Sequence, residues 1–175
     1  MDETIDNQQA ILTAYIAGLM EGEGSFIITK HKYKKWWNYK GMVMFTNTDP
    51  DLIEIFIRFL KKNGIKMWIR TDDRRKRNRR ICYSVVIKQM KARVKFIDII
   101  LPYLRSQIKR KLAKIVRDFT LYRMKENLTY VRDEKGRFIN GGHKKQTEID
   151  QRFYEEYKAA RKSSETINRT PQRFG

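Results

Sequence analysis

Residues 14–25 read Ala-Tyr-Ile-Ala-Gly-Leu-Met-Glu-Gly-Glu-Gly-Ser, and the rest of the chain is interpreted from them. As a helix from Gln9 to about Gly22, the stretch has an unusual face. Ala14, Gly18 and Gly22 recur every four residues, so they stack in one stripe, which Ala17 widens. Glycine inside a helix costs roughly 1 kcal/mol relative to alanine. Close approach of a second helix would offset that, because side chains hold helix axes about 8–10 Å apart and glycine relaxes the limit. Glu21 and Glu23 follow, separated only by Gly22. Gly24 and Ser25 end the helix before an apolar strand beginning Phe26-Ile27-Ile28. Acids at this helix end oppose the negative pole of the macrodipole, which prefers cations by a few tenths to about 1 kcal/mol. Carboxylate oxygens gathered there suit a hard divalent cation such as Mg²⁺ or Ca²⁺. Solvated glutamates beside a glycine cap are the plainer reading of the same residues.

The whole composition points to a polyanionic partner. Lys and Arg number 39 against 20 Asp and Glu, a formal charge of +19, and the pI is near 10.1. Nucleic acid leads, with an anionic membrane surface second. No apolar run approaches the roughly 18 residues of a membrane span, and no signal-peptide pattern opens the sequence. An intracellular protein of cytoplasm, nucleoid or organelle matrix, not secreted and not membrane-bound, is therefore expected. The single Cys82 excludes a disulfide within the chain. Two histidines and one cysteine do not make the usual structural zinc site. By length, the 175 residues are one domain, with a core at about 9–126 and a basic loop, helix and tail over 127–175.

Beyond the motif helix, alternation predicts strands over residues 25–33 and 41–48, joined by a tip, Lys34–Lys40, that mixes cations with aromatics. Phe26, Ile28, Val43 and Phe45 form an apolar face. Ser25, Thr29, His31, Tyr33, Met42, Met44 and Thr46 form an open one. A helix then starts with Asp49 as N-cap and Pro50 at its first position, carries Leu52, Ile55, Phe56, Phe59 and Leu60, and ends at Asn63-Gly64. In a second hairpin, Met67 and Ile69 side with Tyr83, Val85 and Ile87 as core, while Trp68, Arg70 and Asp72 face outward with Cys82 and Ser84. Its turn, Asp73–Arg80, has six cations in eight residues. Such a run repels itself in water and becomes favourable beside phosphates through counterion release. Helices are predicted over 91–101 and about 104–126, broken at Pro102, with Ile108, Leu112, Ile115, Val116 and Phe119 as core. Residues 129–145 read as a basic loop. Thr147 caps a last helix to Ala160, before a polar tail that orders on a partner.

Ile16-Ala17-Gly18-Leu19-Met20-Glu21-Gly22-Glu23-Gly24 resembles the LAGLIDADG motif of homing endonucleases and maturases. Ala17, Gly18, Leu19 and Gly24 match outright. Ile16 and Met20 are apolar replacements, Gly22 replaces a small alanine, and Glu21 and Glu23 replace two aspartates. The motif occurs once. The element order over residues 9–120 is similar to the family's αββαββα fold. That implies an α+β chain whose four-stranded antiparallel sheet, helices on one face, saddles duplex DNA with the other.

The resemblance carries specific implications. Glu23 takes the place of the metal-binding acid, with Gly22 beside it, and Glu21 that of an acid more often structural. Asn47 stands where a water-orienting amide is expected, or is an ordinary polar strand end. Lys109 falls at the active-site lysine, with Lys111 as the alternative. Mg²⁺ is the expected cofactor, with Ca²⁺ or Mn²⁺ able to substitute for binding. The DNA-facing set comprises Ser25, Thr29, His31, Tyr33, Lys35, Trp36, Lys40 and Met44 of the first hairpin. It continues with Trp68, Arg70, Asp72, Arg74, Arg75, Arg77, Arg79, Arg80, Cys82 and Ser84 of the second, then His143, Lys144 and Lys145. Ala14, Ala17, Gly18, Glu21 and Gly22 form the contact of a homodimer, because one acid makes half a site and the stripe needs a partner. The sum is an intron-encoded endonuclease that breaks both strands of a long, pseudo-palindromic site. An RNA-binding intron maturase and an inactive DNA-binding protein on the same fold are the alternatives. No intein-type nucleophile and no helix-turn-helix appendage are evident in the sequence.

Overall fold

The motif helix is longer than its small-residue stripe suggests. In the structure, a computed structural model describing residues 2–33, 36–73, 80–127 and 148–169, α1 runs Asp2–Gly22. Residues 2–8, ahead of the expected start at Gln9, continue the helix. They contain no Gly or Pro to break it. The first hairpin is β1 (Gly24–Tyr33) and β2 (Trp36–Asn47). Only two residues separate the strands, so Trp36–Lys40, expected in the tip, belongs to β2, with Trp36 opposite Tyr33 and Lys40 opposite Thr29. Next come α2 (Pro50–Lys62), β3 (Trp68–Asp72), β4 (Cys82–Ile87) and α3 (Met90–Ile100). A 3₁₀ turn at Leu101–Tyr103 holds Pro102, and α4 follows over Gln107–Asn127. Finally, α5 spans Glu148–Arg169, well past the expected end at Ala160. The loop 129–145 and the expected cap Thr147 lie outside the described residues.

The sheet is antiparallel in the order β1-β2-β4-β3. Cross-strand rows set its faces. Phe26, Val43 and Ile87 form one row, and Phe45, Val85 and Ile69 the next, all on the helix-covered side. The side chains of Phe26, Val43, Phe45, Val85 and Ile87 are buried. Phe45 stacks on Phe56 at 4.6 Å between ring centroids, and Phe56 meets Phe96 edge-on at 5.7 Å, so the sheet, α2 and α3 share one core. Ile69 keeps its predicted face but is 54% exposed, because β3 is the edge strand. On the last helix, the buried Asp150 takes two hydrogen bonds from Arg123 of α4, and Gln151 accepts from Tyr39 of β2.

The cap of α2 follows the local chemistry: the Asp49 side chain accepts from the Asp51 N–H at 2.9 Å, and Gly64 ends the helix at φ 61. Ile53, outside the predicted stripe, is also buried. Leu112, Ile115, Val116 and Phe119 are core, with Ile108 packed against it.

Candidate active site and nucleic-acid interface

The C-terminal end of α1 meets the N-terminal end of α4. Glu21 Oε1 accepts hydrogen bonds from the backbone N–H groups of Arg105 (2.6 Å) and Ser106 (2.5 Å). Ser106 Oγ in turn accepts a long bond from the Lys109 N–H at 3.4 Å. These donors belong to the positive pole of α4, so Glu21 is favoured there although it opposes the dipole of its own helix. Lys109 reaches back: its Nζ donates to the carbonyls of Gly24 (2.6 Å) and Met20 (3.3 Å). Burial lowers its pKa below the ordinary lysine value, while the charges of Glu21 and Glu23 pull the other way. An added Cβ at Gly24 would stand 2.6 Å from the Met20 backbone Cα, so only glycine lets the chain turn here and present its carbonyl to Lys109.

Glu23 differs from Glu21. Its side chain is exposed and makes no hydrogen bond or salt bridge among the described residues. Beside it lies a cleft of about 600 Å³ lined by Glu21, Gly22, Ser25, Ser106, Lys109 and, from the C-terminal helix, Tyr157 and Arg161. The last two were missed from sequence. Nothing in a stretch more than 130 residues beyond the motif marks them as neighbours. Burial raises the Tyr157 pKa, against a lowering by Arg161. Lys111, the alternative to Lys109, is exposed and does not line the cleft.

Asn47 is not brought into the cleft. Register sets it at the same sheet end as Gly24, whose partner is Phe45, but its Oδ1 accepts from the Asp49 N–H at 2.9 Å. That bond is what a turn-forming strand end makes. As for a metal, no group of three or more His, Cys, Asp or Glu side chains converges among the described residues. One chain offers an exposed carboxylate with Gly22 beside it, the right chemistry for a hard cation but half of a donor set.

The expected dimer face is corrected at Ala17. Ala17 is fully buried in the core, and the Glu21 carboxylate is engaged within the chain. Ala14, Gly18 and Gly22 are exposed, and a Cβ at either glycine would meet nothing within 4 Å. Ile11 (65% exposed) and Tyr15 (45%) lie on the same arc, at the i, i+4, i+7 spacing that could have identified them. Among the described residues, nothing covers the stripe at Gly18 and Gly22.

On the open side of the sheet, Ser25, Met44, Val86 and Trp68 form one cross-strand row, and Thr46, Ser84 and Arg70 another. Thr46 and Ser84 hydroxyls are bonded at 3.1 Å. Thr29, His31, Lys40, Arg70, Asp72 and Arg80 also reach this side or its rim, all but Thr29 exposed. Cys82 and Val86 are on the open face by register yet only 6% and 2% exposed, since β4 is an interior strand. Tyr33 and Trp36 are placed by backbone alone. Lys35, Arg74, Arg75, Arg77, Arg79, His143, Lys144 and Lys145 lie outside the described residues.

Comparison with known proteins gives a consistent picture. The model of a family described as LAGLIDADG-like domain matches residues 10–101. Among solved structures, the homing endonuclease I-GzeII in complex with its DNA target is similar with a TM-score of 0.58 at 15% identity, over 91% of this chain and 49% of that one. I-CvuI in complex with the I-CreI target, in the presence of Mg and with DNA not cleaved, gives 0.53 at 15% over 87% and 96%. I-CvuI has also been solved with its own target in the presence of Ca. An archaeal intron-encoded homing endonuclease, I-Vdi141I, complexed with DNA, gives 0.55 at 16% over 87% and 98%. The chain thus spans about half of the I-GzeII chain and nearly all of the other two. At these identities the likeness is one of fold. No curated protein sequence matches significantly.

Proposed function

The chain belongs to the LAGLIDADG-like family, and on that premise we propose that it is a site-specific DNA endonuclease. It acts as a homodimer and breaks both strands of a long, roughly palindromic duplex site with a divalent metal. One observation carries the reading: an exposed Glu23, without a salt bridge among the described residues, and the ammonium of Lys109, near enough to feel its charge, lie at the end of a helix whose outward face is Ala14, Gly18 and Gly22. A bare stripe of small residues packs best against its own copy about a two-fold axis, which brings two Glu23 side chains together.

In that pair, Glu23 with Gly22 would hold the ion. The ion supplies charge at the scissile phosphate and an activated water. Solution of I-CvuI structures with Mg and with Ca supports a divalent species. Mg²⁺ is the expected working ion. Lys109, tethered to the Gly24 carbonyl at 2.6 Å, fixes a cation against charge that grows on the phosphate oxygens. Arg161 adds a second cation on the cleft wall. Glu21 does no chemistry and holds α1 to α4. The open rows of the sheet read base edges at alternate positions in the major groove, and the basic turn after β3 supplies phosphate contacts.

Incubation of the protein with a randomised duplex library and Mg²⁺, followed by capture of broken ends, tests the proposal. A pseudo-palindromic sequence should emerge with wild type and not with EDTA or Glu23→Gln. Enrichment that is the same with Glu23→Gln, or absent with wild type, refutes it.

A further inference from the structure

Away from the cleft, β2 overruns its neighbour. Its pairing with β4 stops at Val43 opposite Ile87, while Trp36–Met42 pairs with β1 alone. The chain after β4, the first turn of α3 and the side of α4 close the gap into a notch of about 490 Å³, which opens beside Thr29 and His31 on the free side of the sheet. It lies four to six residues along β1 from Ser25, roughly 15–20 Å from the cleft.

The notch is lined by Lys40, Lys88, Arg93, Arg123 and His31 and, among the described residues, by no carboxylate. Arg123 is answered by Asp150 at 3.0 Å. Lys40 and Lys88 are exposed, and the Lys88 ammonium lies 5.9 Å from the centroid of the Trp68 ring. Arg93 is only 3% exposed and pairs with no acid among the described residues. Its Nε donates to Thr120 Oγ1 at 2.8 Å, and its Nη1 makes a long bond of 3.4 Å to the Lys88 carbonyl. The guanidinium has five N–H donors, and the others find no acceptor among the described residues. Gly41 is shaped to it, since a Cβ there would come 3.1 Å from the Arg93 Cζ. Burial lowers the Arg93 pKa to about 10, which still leaves it charged at neutral pH. The start of α3 adds to the field, with no acid in its first turn and no side-chain bond from its cap, Gln89. A desolvated cation with spare donors is costly unless an anion completes it, and an apolar residue would fill the same space more cheaply.

We propose that this notch is a phosphate site, with Arg93 as its floor and Lys40 and Lys88 as its rim. A guanidinium fork fits a phosphate through two parallel bonds, and the flanking lysines add charge without fixed geometry. The phosphate comes either from the backbone of bound DNA or from a free anion. Only the first source rests on the endonuclease reading.

The test is thermal unfolding of the full chain in inorganic phosphate against chloride at matched ionic strength. General salting effects act alike on wild type and variants, so the difference between them is the readout. At a phosphate concentration about tenfold above its dissociation constant, wild type should gain about 3–6 °C more than Arg93→Met. Lys40→Gln with Lys88→Gln alters only exposed rim residues, so it should fold normally and lose most of the same gain. This pair carries the test should Arg93→Met fail to fold. In a second arm, a short duplex of arbitrary sequence at low salt replaces phosphate. An Arg93-dependent gain there assigns the site to the DNA backbone, and a gain with inorganic phosphate alone assigns it to a free anion. Equal gains for wild type and both variants in both arms overturn the proposal. No cleavage is measured, so loss of this site leaves the endonuclease reading standing, and an inactive nuclease leaves the phosphate gain to be seen.

Discussion

Glu21 and Glu23 are the same residue type two positions apart, and the structure gives them different surroundings. One oxygen of Glu21 takes two backbone N–H bonds, at 2.6 and 2.5 Å. A hydrogen bond to a charged group contributes about 1.5–3 kcal/mol to stability. The two bonds share one oxygen, and water reaches the N–H of exposed Arg105 more readily than that of half-buried Ser106, so they do not add fully. The macrodipole effects of α1 and α4 on Glu21 oppose one another and nearly cancel. Glu21→Ala should therefore cost about 2–4 kcal/mol, and Glu21→Gln, which keeps an acceptor but loses the charge, about 1–2 kcal/mol. At about 2–4 °C per kcal/mol for a chain of this size, the alanine variant should melt about 5–15 °C lower. Glu23→Gln removes an exposed carboxylate without partners from the negative end of a helix, so stability should hold within about 0.5 kcal/mol. DNA binding should persist, or tighten as a negative charge near phosphate is lost, while cleavage disappears. Melting and cleavage should be measured on the same preparations at one protein concentration, since dimerisation makes Tm depend on it. A Glu21→Ala chain that melts like wild type refutes the bridge to α4. A Glu23→Gln chain that cuts at the wild-type rate in Mg²⁺ refutes the assignment of the acid.

Two further outcomes follow from the same helix end. Gly18→Leu places its side chain in open space within one chain, so the protomer should fold as well or better, yet a clash of about 1–3 kcal/mol repeats across the two-fold axis; sedimentation should show monomer and cleavage of both strands should vanish, whereas a dimeric, active variant moves the interface off α1. Lys109 has a folded pKa below its unfolded value near 10.5, so the unfolded chain holds the proton longer and stability rises with pH between the two values, while cleavage falls as pH climbs through the lowered one; Lys109→Arg should abolish that alkaline fall, and an unchanged profile in the arginine variant removes Lys109 from the reaction.

Where the physics is local, the sequence was enough. Asp49, Pro50 and Asn63-Gly64 bound α2 because capping needs only neighbours, and the Asp49 bond and the positive φ of Gly64 are those signals realised. Alternation placed Phe26, Ile28, Val43 and Phe45 on the buried face because strand period does not depend on what covers the strand. It failed where coverage decides. Ile69 has the right face but lies on an edge, and Cys82 has the open face but sits in an interior strand. Trp36–Lys40 read as a turn because it mixes cations and aromatics, whereas pairing with Thr29–Tyr33 makes it strand. Ala17 shares the small-residue character of Gly18 but not its direction, and points into the core.

The site itself shows what a linear reading leaves out. From sequence, two acids against the macrodipole of α1 called for an external cation. The chain supplies much of that compensation itself: the N–H groups ahead of α4 take Glu21, and the Lys109 ammonium binds the carbonyls of Met20 and Gly24. These partners lie 84 to 89 residues away, beyond any local pattern, and Lys109 was found only through the family resemblance. What is left uncompensated is Glu23 alone. A single exposed carboxylate beside a lysine binds a divalent ion weakly, because the ion wants several oxygens and the ammonium repels it. If chains pair as proposed, the affinity comes from a second Glu23 brought to the same point across the open arc of Ile11, Ala14, Tyr15, Gly18 and Gly22. On the proposed reading, metal binding and pairing of chains are therefore one linked equilibrium, and each should strengthen the other by the same factor.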